Sequence, residues 1–266
     1  MPLAQVNIIA FCLTALTGYY FFGPVIAVGL GCLAVSVVLI WHLLSTNMVL
    51  NALKATRMTD ASATTTIHRL YLADVQALRS AANIPVTQFY LIDAHVPIAF
   101  SMGSARGSNQ IVVTSGLFKT LTRLEISAVI AHELGHIKAG DSSLNAMRLS
   151  LSLMISRLHL RPVLRMLGLV RSGPSLLARV LSRSDSRADA FSARLCKDAK
   201  LLASALKKLE RGVRAVQWSA LDKLPSLAGV TVIDPFAAHE SYDHPEQSET
   251  AYRVAELYRL ELPEAA

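Results

Sequence analysis

The stretch Thr122-Arg123-Leu124-Glu125-Ile126-Ser127-Ala128-Val129-Ile130-Ala131-His132-Glu133-Leu134-Gly135-His136-Ile137-Lys138-Ala139-Gly140 carries two histidines four residues apart between two marks of helix punctuation. Thr122 and Glu125 stand at the spacing of a capping box, in which a hydroxyl and a carboxylate satisfy backbone N–H groups that the first helical turn leaves open. Gly140 is a natural stop, so the spacing predicts a helix over Arg123 to Ala139. Residues i and i+4 stack on one helix face, which brings the imidazoles of His132 and His136 to adjacent corners of a tetrahedral zinc. Glu133 lies beside them, placed to act as general base on a metal-activated water. Ile126, Val129, Ile130 and Ile137 surround the motif. One side of the helix is therefore expected to be buried, where two imidazoles cost free energy unless they have partners.

Zinc held by three protein ligands keeps a fourth position open, lowers the pKa of water from ~15.7 toward ~7 and polarises a peptide carbonyl. One zinc ion per chain is the cofactor this pattern implies. The third ligand must come from elsewhere, and Asp185 and Asp189 are acidic candidates that spacing alone leaves nearly equivalent. Asp141, five residues past His136, is too near in sequence for a ligand and is left a supporting role beside one.

Outward from this helix, the composition narrows the class of protein. The chain has 266 residues, of which 52% are hydrophobic and 17% charged, with a mean hydropathy of +0.40, which excludes a disordered or fibrous chain. No charged side chain precedes Lys54. Two apolar stretches, residues 3–22 and 24–44, are each long enough as helices to cross a hydrocarbon core of ~30 Å. Gly23-Pro24 breaks them, and Tyr19, Tyr20, Phe21, Phe22 and Trp41 sit where aromatic rings favour a membrane interface. Residues 1–45 thus read as a transmembrane hairpin and 46–266 as the domain behind it. A cleaved signal peptide is the alternative for the first stretch, but it lacks a basic leader and a second full-length stretch follows at once. Lys54, Arg57 and Arg69 follow the hairpin while its turn is uncharged, so the domain is expected on the cytoplasmic side of a bacterial-type inner membrane.

The formal net charge is +7 and aromatic residues are 6% of the chain, few for stacking on bases, so a lipid bilayer rather than nucleic acid is the expected partner. Cys12, Cys32 and Cys196 are too few and too scattered for a disulfide framework. An amphipathic helix is predicted from Thr66 to Asn83, and another after Lys200. Between them Val86 to Ile92, Val96 to Met102 and Gln110 to Thr114 read as short strands of a small sheet. The fold class is α+β, predominantly helical, with a zincin-like metallopeptidase domain. Residues 142–184 hold seven arginines and no acid. The segment from about 143 to 184, broken at Pro162 and Gly173-Pro174, reads as a helix lying in an anionic headgroup plane, or else as a solvated basic face on ordinary core helices.

Val112-Val113-Thr114-Ser115-Gly116-Leu117, then Glu125, then His132-Glu133-Leu134-Gly135-His136-Ile137-Lys138 and Asp141 resemble, in unbroken order, the M48 family of membrane-associated zinc metallopeptidases on its HtpX-like side. Ser182-Arg183 and Arg187-Ala188-Asp189-Ala190-Phe191 resemble the family helix whose Glu, four residues before an Asp, is the third zinc ligand. Counting back four from Asp189 gives Asp185, one methylene shorter than Glu, so its helix must sit closer to the metal; anchoring on Ser182-Arg183 instead lands near Ser186, a poor ligand. The resemblance implies that Asp189 orients a ligand histidine through its other ring nitrogen. It also implies that Pro97-Ile98-Ala99-Phe100-Ser101 is the edge strand that pairs with extended substrate, with Ile98 where the family has Asn. His244-Pro245 with Arg253 resembles a family element near the active site, which makes His244 a further catalytic candidate, although Arg253 arrives about three residues late.

Together these point to a membrane-anchored zinc endopeptidase that cleaves unfolded or membrane-proximal polypeptides, in membrane protein quality control. The competing reading is a non-catalytic scaffold that keeps a metal for folding and binds lipid or a partner. Glu133 discriminates them, since a purely structural metal has no use for a general base next to its ligands.

Overall fold

The computed structural model describes residues 3–60, 65–103, 108–157, 176–216, 230–233, 238 and 248–260. Two apolar helices come first, α1 (Leu3–Phe22) and α2 (Pro24–Ala52), packed on one another and separated by Gly23. α2 runs on through Ala52 rather than stopping at Leu44. Beyond Trp41 one of its faces is buried, with His42, Ser45, Thr46, Val49 and Leu50 turned inward, and the Trp41 indole N–H donates to Ser150 Oγ at 2.7 Å. Tertiary contact prolongs the helix where hydropathy fades.

A short strand β1 (Thr56–Met58) follows, then α3 (Thr66–Ala81), β2 (Thr87–Ile92), β3 (Ala99–Gly103) and β4 (Asn109–Thr114). The four strands form one mixed sheet in the order β1-β2-β4-β3, with β2 and β4 parallel and the outer pairs antiparallel. The third strand begins at Ala99, later than the predicted Val96. Pro97 has no N–H to give a ladder, and the Thr114 hydroxyl takes the backbone on either side of it, accepting from Ile98 N–H at 3.0 Å and donating to Val96 O at 2.6 Å. The helix predicted to reach Asn83 ends at Ala81, and Asn83 turns the chain with φ of 53°. β1 and the one-and-a-half-turn helix α4 (Ser115–Thr120) were not anticipated, being too short to show a period.

The helix α5 spans Arg123–Ala139 as predicted, with both halves of the Thr122/Glu125 capping box formed and Gly140 in the left-handed conformation at φ 77°. It has no solvent face along most of its length. Ala128, Val129, Ile130, Ala131, His132 and Leu134 are all fully buried, because α5 packs on α3 and on the sheet while α7 (Leu176–Cys196) and α8 (Ala199–Arg214) cover its remaining sides. A 3-10 turn (Asp141–Leu144) leads from α5 into α6 (Asn145–Arg157), which lies along α2. The last helix among the described residues is α9 (Glu249–Arg259), packed on α8 and α7. Residues 158–175, the middle of the basic segment, and His244-Pro245 lie outside the described residues.

Glu125 does more than cap. Its carboxylate also accepts from Ser204 Oγ at 2.6 Å and Lys208 Nζ at 2.7 Å, tying the start of α5 to α8. Burial pushes this carboxyl up, but Lys208, Ser204 and Thr122 outweigh it and hold its pKa near 2 instead of 4.5. A depressed carboxyl stabilises the fold above its unfolded pKa and loses that contribution as pH falls toward its folded pKa. Glu125→Gln is therefore expected to lower the thermal midpoint of the detergent-solubilised protein at pH 7. The gap from wild type should close as pH falls from about 4.5 toward about 2, and a gap independent of pH would contradict the assignment.

Candidate metal centre

α5 delivers His132 and His136 one turn apart, and their Nε2 atoms converge to 3.1 Å. Asp185 comes from α7, with Oδ1 at 3.2 Å from His136 Nε2. The three donor atoms all lie within 4.8 Å of one another. Two ligands on a tetrahedral zinc with bonds of 2.0–2.1 Å stand ~3.3 Å apart, so the spacing fits a single ion. The chemistry fits as well, with two imidazole nitrogens and a carboxylate oxygen meeting where His132 is fully buried and Glu133 is 1% exposed.

The short aspartate reaches because the two helices nearly touch. A Cβ on Gly135 would lie 3.1 Å from the Cα of Ala188 and 3.2 Å from the Phe191 ring, so a residue without a side chain at 135 and a small one at 188 let α7 settle against the histidine face. Ser192 Oγ on the same helix donates to Ala128 O at 2.7 Å, and Lys138 Nζ stands 5.1 Å over the Phe191 ring. Ser186, where the other sequence register would have put the ligand, is exposed.

Each imidazole has a carboxylate on the side away from the cluster. Asp189 Oδ1 is 2.7 Å from His132 Nδ1, and Asp141 Oδ2 is 3.6 Å from His136 Nδ1. Asp189, which the resemblance implied would orient a ligand histidine, lies with its carboxylate beside His132. Burial pulls the His136 imidazole down, but the Asp141 and Asp185 carboxylates and the Glu133 charge outweigh it and raise its pKa to about 10. The field that favours a proton there favours a cation. Tyr71 stands in the same interior, edge-on to Phe89 and Phe118. Burial, together with the Glu133 charge, pushes its phenol far above the usual tyrosine range, so it stays protonated.

The site residue least legible in the sequence is Arg253, in the second turn of α9. Its guanidinium grips Asp189 with two bonds, Nε to Oδ2 at 2.8 Å and Nη2 to Oδ1 at 2.7 Å. Nη1 donates to Val232 O at 2.6 Å and stands 3.7 Å from Asp185 Oδ2. For Asp189, burial alone would raise the carboxyl, but Arg253 followed by His132 holds it far below the usual carboxylate range. The three-residue offset of Arg253 from the family spacing does not keep it from the site. An arginine near a histidine-proline pair was the only sequence signal, and its partner could not be read from spacing.

The family model described as peptidase family M48 matches residues 61–260. The chain belongs to peptidase family M48. Among relatives of this M48 peptidase, Protease HtpX of Legionella pneumophila subsp. pneumophila is 28% identical over 209 residues, 69% of this chain and 75% of that protein. A Protease HtpX homolog of Burkholderia mallei is 26% identical over 237 residues, 81% of each. The crystal structure of S. mikatae Ste24p aligns with a TM-score of 0.47 at 19% identity, over 94% of this chain and 66% of that one.

Removing one member of a buried charge pair leaves the other uncompensated and costs about 3–5 kcal/mol. Arg253→Ala in this peptidase should therefore be strongly destabilised in denaturant titrations. The Asp189→Asn/Arg253→Leu double variant should lose less than the sum of the single changes, a coupling that additive losses would refute.

Proposed function

We propose that this M48 peptidase is a membrane-anchored zinc endopeptidase acting on unfolded or membrane-proximal polypeptide, with a role in membrane protein quality control. The observation that carries the reading is the convergence of His132 Nε2, His136 Nε2 and Asp185 Oδ1 beside the buried Glu133. His132, His136 and Asp185 would hold the ion. When bound, zinc supplies Lewis acidity, polarising a peptide carbonyl and acidifying water at neutral pH.

The chain's own residues supply the rest. Asp189, 2.7 Å from His132 Nδ1, favours the tautomer that leaves Nε2 a lone pair, and the Asp141 carboxylate, 3.6 Å from His136 Nδ1, adds its negative charge on the far side of that ring. Arg253 fixes Asp189 by two bonds, so the second layer of contacts is itself restrained. Glu133, next to His132 on the same helix, takes a proton from the attacking water and passes it to the leaving amine. A carboxylate so placed beside the donors supports hydrolysis over a purely structural metal, and Asp185 reaches the donor set despite its shorter arm.

The anchor reading rests on α1 and α2. At 29 residues α2 is long and apolar enough to cross a membrane, and Leu13, Leu16, Val25, Val28, Leu33, Val37 and Ile40 are exposed. Apolar surface of that extent in water is unfavourable by ~25 cal/mol per Å², whereas lipid covers it without cost. The uncharged turn and the basic residues after Ala52 support a cytoplasmic location for the peptidase domain.

Glu133→Gln is expected to keep zinc, measured by metal analysis of protein purified in detergent, and to lose casein hydrolysis by at least ~10²–10⁴-fold. Unimpaired hydrolysis in that variant would end the mechanism. Asp185→Ala should lose the metal, while Asp189→Ala should weaken binding or activity by ~10–100-fold. The reverse order would make Asp189 the ligand. Reporter fusions just after residue 52 are expected to register as cytoplasmic, and a periplasmic signal would overturn the orientation.

A further inference from the structure

The free edge of β3 is already in use. Ile98 O accepts from Thr114 N–H at 3.1 Å, so residues 98, 100 and 102 turn their backbone groups toward β4 and residues 99, 101 and 103 turn theirs outward. Along that outward edge Ala99 O accepts from Val232 N–H at 3.2 Å, and Ser101 O accepts from Asn145 Nδ2 at 2.9 Å. An extended polypeptide that adds to a sheet edge needs these same acceptors.

Residues 230–233 are held on the edge from several directions. Val232 and Ile233 are buried, Thr231 Oγ1 donates to Ile233 O at 2.5 Å, and Val232 O accepts from Arg253. The same guanidinium grips Asp189, which contacts His132. An unbroken series of polar contacts therefore joins the occupied edge to the donor cluster.

We propose that residues 230–233 form an internal strap that fills the β3 edge in the resting protein, so that substrate polypeptide gains the edge only by displacing it. The inference rests on the peptidase reading above and adds its regulation. Displacement takes an acceptor from Arg253 at the moment polypeptide arrives, which makes that residue the link between edge occupancy and the brace behind His132. Asn145, the first residue of α6, covers the next acceptor along and must swing away for a longer stretch of substrate to pair.

Hydrogen exchange on the full-length, zinc-loaded Glu133→Gln protein, with and without saturating unfolded β-casein, tests the strap. The expected result is faster exchange at 230–233 while 99–103 stays protected, the edge having changed partners. Unchanged or slower exchange at 230–233 with casein bound would overturn the proposal. Val232→Pro on the active background removes the N–H that reaches Ala99 and should lower KM for casein by about 2- to 10-fold, the worth of one backbone hydrogen bond. A higher KM in a folded, zinc-loaded variant would show instead that the segment helps to bind substrate. If wild-type zinc-loaded protein leaves casein intact, the peptidase reading fails and the strap with it; casein hydrolysis without faster exchange at 230–233 sinks the strap alone.

Discussion

The close approach of two helices is the constraint from which the donor geometry follows. Gly135 on the histidine helix and Ala188 on the helix opposite leave no side-chain bulk between the backbones. At that separation an aspartate, with its single methylene, brings Oδ1 to 3.2 Å from His136 Nε2. A larger residue at either point would wedge the helices apart and open the donor triangle without touching a donor. The short arm of Asp185 and the tight helix contact thus belong to one geometry.

Around that contact the charges are arranged in layers. Asp189 and Asp141 stand behind the imidazoles, and Arg253 stands behind Asp189. The Asp189 carboxylate and the Arg253 guanidinium, both buried, are expensive to desolvate, and only bidentate geometry with a further acceptor, here Val232 O, offsets that cost. The arrangement gives orientation rather than net stability. An imidazole that donates through Nδ1 presents Nε2 in one tautomer and one rotamer, which is what a donor needs.

A second continuity runs from α2 into the domain. Its early part is exposed and apolar, while its later part is buried against the core, joined to α6 by the bond from Trp41 to Ser150. α6 follows α5 after a single 3-10 turn. With no helix break between the exposed and buried portions of α2, whatever environment holds the exposed end also fixes the orientation of the helix that carries the histidines.

The sequence by itself determined what depends on neighbours along the chain. The Thr122/Glu125 box and Gly140 bounded α5 to the residue, because capping is a matter of backbone groups within one turn. The i, i+4 histidines and Glu133 were legible for the same reason, and so were the apolar stretches of α1 and α2. The tertiary structure alone decided what depends on contacts between distant segments. Asp185 and Asp189 are separated by one helical turn and looked alike as candidates; which faces the imidazole donors and which stands behind one is set by how α7 rotates against α5. Glu125 read as a cap, but its bonds to Ser204 and Lys208 required α8 to lie alongside. Arg253 found Asp189 across 64 residues, and Val232 found Ala99 through backbone atoms that every residue type carries. A backbone hydrogen bond between distant segments leaves no trace in residue identity, so only the folded chain could reveal that the outward edge of β3 is bonded to Val232.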